Sequence, residues 1–233
     1  MSAQKVSAGS AAVQEAISKL DVDAVGIASL DALKGSRLEE TALRLLPETR
    51  SIVVMAMEVY LEVLTLVRPG REMGAASLND LWEPNSNYLY GRLTKAAYDV
   101  AKASRRHGFK VLPLPATGCP MDGRFLEAVF SYKHAGLASG LGFIGRHSML
   151  ITPDFGPRVR LSCCLTEAEL EPTEISINGG CKSCKICIDN CPAGALSQPQ
   201  DGQPYSINKF ACSFFCNASG GCAECMRLCP KSR

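Results

Sequence analysis

The chain has 233 residues, enough to bury a core of its own, with one main domain of ~180 residues and a small appendage. Hydrophobic residues make up 46% and charged residues 21%, an ordinary balance for a globular protein. A net charge of +2 gives no basic field that would argue for nucleic acid, and 6% aromatic residues leave little for stacking on single strands.

Met1 to Ser10 lacks both a charged-then-apolar secretory pattern and a twin arginine. Residues 9–20 carry Ala12, Val13, Ala16, Ile17 and Leu20 at helical spacing, and Ala24 to Ala28 reads as a strand. Leu38 to Leu46 reads as a helix stopped by Pro47, and the β-branched run Ser51 to Val59 as a central strand. The apolar stretch Ser51 to Val67 is interrupted by Glu58 and Glu62 and is too short to span a bilayer. A long amphipathic helix is predicted from Asn87 to His107, stopped by Gly108, then a strand from Phe109 to Leu114. Phe125 to Ala138 reads as helix, Val159 to Leu165 as strand, and Glu169 to Asn178 as a linker. Helices and strands alternate to about residue 168, which predicts an α/β (α+β) core over residues 1–170 and a separate module over 171–233.

That module is where the chemistry concentrates. Nine of the twelve cysteines fall after residue 180. The first four read Cys181-x-x-Cys184-x-x-Cys187-x-x-x-Cys191-Pro192, the spacing with which bacterial ferredoxins bind [4Fe–4S] cubes, the fourth cysteine reaching to the other cube. The second group reads Cys212, Cys216, then Cys222-x-x-Cys225-x-x-x-Cys229-Pro230. In a cytoplasmic protein, the expected compartment, thiols stay reduced and clustered cysteines favour metal over disulfides. Zinc ribbons use two C-x-x-C pairs rather than this run, so two [4Fe–4S] clusters are expected. Cys181, Cys184 and Cys187 would share one cube with Cys229. Cys191 would join Cys222, Cys225 and either Cys212 or Cys216. Cys163 and Cys164, in an apolar strand, read as core thiols. Cys119 beside Pro120 is either a packed or a reactive thiol.

Gly140-Leu-Gly142-Phe-Ile-Gly145 matches the G-x-G-x-x-G dinucleotide fingerprint. The fingerprint requires a strand before it and a helix after it. Here a helix precedes and a strand follows, so the segment reads as a glycine-bearing turn instead.

The stretch ASGLGFIGRHSMLITPDFGPRVRLSCCLT, Ala138 to Thr166, followed by the double cysteine module, resembles the epoxyqueuosine reductase and reductive dehalogenase superfamily. Val22 to Ile27 and Leu46 to Val54 are similar to further pieces of the same pattern. The resemblance implies a nitroreductase-like, cobalamin-binding core with a C-terminal ferredoxin-like domain holding two [4Fe–4S] clusters. It places a corrinoid against the glycine turn and the LITPDFG segment, at Gly140, Gly142, Gly145, Arg146, Leu150, Thr152 and Gly156. Glycines would let a flat macrocycle approach the backbone. Electrons would pass through the clusters to cobalamin for reduction of a small molecule. Reduced ferredoxin or flavodoxin is the implied donor, and a homodimer is compatible with this reading.

A proton donor would stand near the open face of the corrinoid. Tyr90, Tyr132 and His134, with Arg146 as basic partner, are the candidates, and Tyr88 is a further tyrosine. Asp122 lies where epoxyqueuosine reductases carry an acid, but the intervening segment is longer here and no V-D-T-x-P motif is present. Each tyrosine also reads as an amphipathic packing residue, and His134 as a structural one. Arg158 and Arg160 read as strand-flanking residues or as contacts to the corrinoid. The chain stops directly after the second cysteine motif, whereas full epoxyqueuosine reductases continue into helical repeats and respiratory dehalogenases carry an export signal; a short member of the superfamily is expected. The alternatives are a non-catalytic electron-transfer or corrinoid-handling iron–sulfur protein, and a flavin in place of the corrinoid.

Overall fold

The computed structural model describes residues 7–67, 78–117, 119–175, 179–200 and 202–232. Helix α1 (Ala8–Ser18) begins where the Ser7 side chain accepts a hydrogen bond from the Ser10 backbone N–H, and it buries Val13 and Ile17. Strand β1 (Ala24–Ser29) and helix α2 (Arg37–Leu45) follow. The Ser36 hydroxyl caps α2 by accepting from the Glu39 N–H. Strand β2 (Ser51–Glu58) is buried along all but its last residue, as its β-branched start predicts. Helices α3 (Leu61–Leu66) and α4 (Trp82–Arg106) come next, and α4 ends at Gly108 with φ 82°. Strand β3 (Val111–Leu114) leads to two short strands, β4 (Met121–Asp122) and β5 (Glu127–Ala128).

The helix predicted over Phe125–Ala138 is therefore mostly something else. Met121 pairs with Ala128 and Asp122 with Glu127, Leu126 sits at φ 47°, and Val129 N–H donates to Pro120 O. A left-handed Leu126 cannot belong to a right-handed helix, so helix α5 starts only at Tyr132 and runs to Ala138. Beyond it, β6 (Phe143–Ile144) pairs with β7 (Leu150–Ile151), and β8 (Val159–Thr166) returns to the main sheet.

The main sheet has the order β1-β2-β8-β3. The β1–β2 and β3–β8 pairs are antiparallel. Arg50 N–H donates to Thr166 O and Val59 N–H to Arg158 O, so β2 and β8 also run in opposite directions. The fold is mixed α/β with antiparallel pairing throughout this sheet. The segment predicted as a linker is described to Ile175; residues 176–178 lie outside the described residues. Its first part is tied down: Ile27 N–H donates to Thr173 Oγ1 and Leu170, itself buried, donates to Ser51 Oγ.

The cysteine-rich segment is built from short elements: α6 (Ile186–Asp189), β9 (Leu196–Ser197), β10 (Ser206–Ile207), α7 (Lys209–Ala218) and α8 (Glu224–Arg227). By contacts the chain divides into two units, neither continuous in sequence. The first comprises residues 1–57, 90–141 and 160–176, with Val13, Ile52, Val54, Leu93, Phe130 and Leu165 in its core. The second comprises residues 58–89, 142–159 and 177–233. In it Val59, Leu64 and Val67 pack with Ala223 and Met226, and Trp82, Leu89 and Met149 lie against them. Each fully buried side chain of this kind contributes about 1.5–3 kcal/mol by leaving water. Small cysteine loops bury little apolar surface themselves, and this cluster supplies what they lack.

The second unit also holds an ion pair that sequence reading had left as a strand flank. Arg158 is 8% exposed; its guanidinium donates to Glu58, to Val59 O at 2.9 Å and to Ser232 O at 2.8 Å. A charge this deeply placed is tolerated because three acceptors replace its water. Within this unit it ties β2's end to the residues that follow the last cysteine.

Candidate metal centre

Cys181, Cys184, Cys187, Cys191, Cys212, Cys216, Cys222, Cys225 and Cys229 all fall in the second unit. Their local geometry follows from loop chemistry. Cys187 lies on α6, which packs against α8, and Cys191 follows α6 directly. Gly194 at φ 56° turns the chain back so that Ala195 N–H donates to Cys191 Sγ at 3.3 Å. Cys212 and Cys216 stand four apart on α7 and so share a face.

The thiols act on one another in two interleaved sets. Cys187 is pushed up to about 11, first by burial and then by the charges of Cys181, Cys184 and Cys229. Burial also raises Cys229, with Cys181 and Cys184 acting on it. Cys225 is pushed up to about 12 by burial, then by Cys222, Cys212, Cys187 and Cys191. The Cys216 thiol is raised by hydrogen bonds with Cys212 and Cys222, and those same bonds lower its two partners. The first motif's Cys181 and Cys184 thus act on Cys229 of the second, and Cys187 and Cys191 of the first act on Cys225 of the second.

Among the described residues no three Cys, His, Asp or Glu side chains stand close enough to hold a single metal ion.

The residues assigned to a corrinoid fall differently. Gly142, Gly145, Leu150, Thr152 and Gly156 are all buried in the chain itself. A Cβ on Gly142 would meet Ile151 O at 2.1 Å, one on Gly145 Ile151 Cδ1 at 2.6 Å, and one on Gly156 Lys231 O at 1.9 Å. Gly140, at φ 73°, is the terminating glycine of α5. Thr152 closes its own loop: its hydroxyl donates to Gly156 O at 3.1 Å, and the two backbones bridge. At Gly142 and Gly156 the missing Cβ leaves room for the protein's own backbone, and at Gly145 for the Ile151 and His147 side chains.

The proton-donor candidates are scattered. Tyr132 donates its hydroxyl to Pro115 O at 2.6 Å; burial, then a hydrogen bond with Cys119, holds the phenol protonated far above its usual range. Tyr90 lies under the Arg160 guanidinium, 5.3 Å from the ring centroid. Tyr88 is 62% exposed. Asp122 pairs with Arg124 on the β4–β5 hairpin, which holds its carboxyl below the usual range. Cys163 and Cys164 are fully buried, their thiols raised by that burial.

His134, two residues from Tyr132 and so on another face of α5, is hydrogen-bonded through Nδ1 to Ser131 Oγ at 2.7 Å. Burial, then the charges of Lys133 and Arg37, lowers its pKa below the ordinary 6.5. The folded chain therefore binds fewer protons at His134 than the unfolded one as pH falls through 6.5, and stability drops over that interval. A proton NMR titration should place the His134 midpoint below 6.5, and His134→Gln should flatten the acid limb of stability below that pH. A neutral imidazole at pH 7 is poorly matched to proton donation.

Arg146 lies in the second unit and faces the cysteines. One guanidinium arm donates to Cys184 O at 2.9 Å and the other to Lys182 O at 2.6 Å. Neither this clamp nor the Arg158–Glu58 pair was legible in the sequence, because both join segments tens of residues apart. Among the described residues no helix is long and apolar enough to cross a membrane.

A mixed α/β fold whose second unit gathers nine cysteines defines a class of redox protein, and comparison with known proteins narrows it. No family model matches the chain. It is 30% identical over 160 residues to the tetrachloroethene reductive dehalogenase of Dehalobacter restrictus, covering 60% of this chain and 27% of that one. It is 32% identical over 111 residues to the epoxyqueuosine reductase of Bacillus subtilis, covering 41% of this chain and 27% of that one. Its fold matches a catabolic reductive dehalogenase solved with 3-bromo-4-hydroxybenzoic acid, with TM-score 0.70, 19% identity and coverage of 95% of this chain and 31% of the other. An epoxyqueuosine reductase structure matches with TM-score 0.59 at 19% identity, covering 94% and 64%. The chain belongs to the superfamily that contains the reductive dehalogenases and epoxyqueuosine reductases. It spans 27% of the length of the two curated relatives.

Proposed function

We propose that the chain is an electron-delivering iron–sulfur protein of this superfamily. Two [4Fe–4S] clusters would pass electrons from reduced ferredoxin or flavodoxin towards cobalamin, for reduction of a small molecule in the cytoplasm. The observation that carries the reading is the packing of α6, with Cys187, against α8, with Cys225, which brings the two cysteine motifs together, Cys181 and Cys184 acting on Cys229 and Cys187 and Cys191 on Cys225. When bound, such clusters supply one-electron transfer at a potential set by net charge, hydrogen bonds to sulfur and exposure.

The chain's own part is to hold the ligands and tune them. Cys181, Cys184, Cys187 and Cys229 would hold one cluster. Cys191, Cys212, Cys222 and Cys225 would hold the other. Cys212 is favoured over Cys216 because it acts on Cys225 directly, whereas Cys216 bonds to Cys212 and Cys222. The Ala195 N–H on Cys191 Sγ is a donor of the kind that stabilises a thiolate ligand.

The corrinoid rests on kinship, since one related dehalogenase structure is described as suggesting a mechanism for B12-dependent dehalogenation. The second reading is an electron-transfer or corrinoid-handling protein that holds no corrinoid at the glycine turn. The ultraviolet–visible spectrum of anaerobically purified protein separates the two. Corrinoid bands beside a broad cluster absorption support the first reading, cluster absorption alone supports the second, and a flavin spectrum contradicts both.

A further inference from the structure

We infer that Arg146 is a positioning residue for the cluster of the first cysteine motif, an inference that rests on the iron–sulfur reading above. Its two arms hold the carbonyls of Lys182 and Cys184, which lie between and upon the ligands Cys181 and Cys184. A seven-residue loop that must present three thiolates has few internal hydrogen bonds to fix it, and a planar fork anchored elsewhere supplies two. Arg146 is anchored by the β6–β7 hairpin, which starts at Phe143 and closes with Gly145 N–H donating to Met149 O. The loop is thus held from a hairpin outside the cysteine motif, closed by its own backbone pairing.

The clamp has two consequences for a bound cluster. In a trans peptide C=O and N–H point opposite ways, so carbonyls drawn to Arg146 turn the Ser183 and Lys185 N–H groups away from it. The guanidinium also puts a fixed positive charge on the backbone carbonyl of the ligand residue Cys184. Lys182 and Lys185 on the same loop are exposed and screened by water, whereas Arg146 is partly buried and screened less. A positive charge favours the more negative, reduced form of the cluster, so Arg146 raises the midpoint potential of that cluster and of that cluster alone.

The test is potentiometric titration, followed by electron paramagnetic resonance, of the reconstituted full chain and its R146Q and R146K variants. Iron content of the wild-type chain is read first; a chain that takes up no cubes overturns the iron–sulfur reading itself. With two cubes present, R146Q is expected to lower the midpoint by about 59 mV, a tenfold fall in the reduced-to-oxidised ratio at the wild-type midpoint. The shift falls on the cluster that C181A removes. R146K keeps the charge but not the fork, and is expected to recover part of the shift. Loss of that one cluster in R146Q, with R146K shifted, supports the same role. Unchanged midpoints in R146Q, or equal shifts of both clusters, would overturn it.

Discussion

Alanine at Cys229 is expected to abolish the same cluster signal as alanine at Cys181, although 48 residues separate them in sequence, while alanine at Cys191 abolishes the other. Each change should lower bound iron from about eight to about four per chain, the content of one lost cube. The reason is the crossing of ligands between motifs: Cys229 sits within the electrostatic reach of Cys181 and Cys184, and Cys191 within that of Cys225. A model with each motif closing its own cube predicts the reverse pairing, with Cys191 grouping with Cys181. Alanine at Cys216 should leave both signals, whereas alanine at Cys212 removes the cluster that Cys191 serves. Iron analysis with electron paramagnetic resonance of the dithionite-reduced variants decides between the two pairings.

The second large effect concerns the glycine turn. Gly142→Ala is expected to destabilise the chain by about 3 kcal/mol or more, because its Cβ would stand 2.1 Å from Ile151 O and 2.8 Å from Ile151 C. Both are backbone atoms of β7, so no rotamer change relieves the clash, and the β6–β7 pairing must open. For a chain of this size that corresponds to a fall in melting temperature of roughly 6–12 °C. Gly91→Ala, within α4 and with nothing near its Cβ, is the control and should be neutral or slightly stabilising. Thermal unfolding followed by circular dichroism measures both. If Gly142→Ala unfolds like wild type while losing corrinoid, the glycine serves the cofactor and the backbone explanation fails.

How much of this was legible in the sequence depends on the range of the interactions involved. Periodicity located α1, β1, α2, β2 and β8 to within a residue or two, because apolar spacing, the stop at Pro47 and the β-branched run at Ser51 act locally. Apolar spacing alone overextended α5, since Leu126 in the left-handed region leaves no compositional mark. The cysteine spacing pointed to cubes because short intervals within a loop constrain its ligands directly. The glycine turn looked like a cofactor approach because sequence shows the absence of a Cβ but not which atom occupies its place. The ties Arg146–Cys184 and Arg158–Glu58 depend on tertiary contact and left only isolated arginines to read.

The central claim is that eight of the nine clustered cysteines hold two cubes. Iron and acid-labile sulfide counted on the anaerobically reconstituted full chain test it most directly. About eight of each per chain are predicted. Zinc without iron, or iron without sulfide, would contradict it.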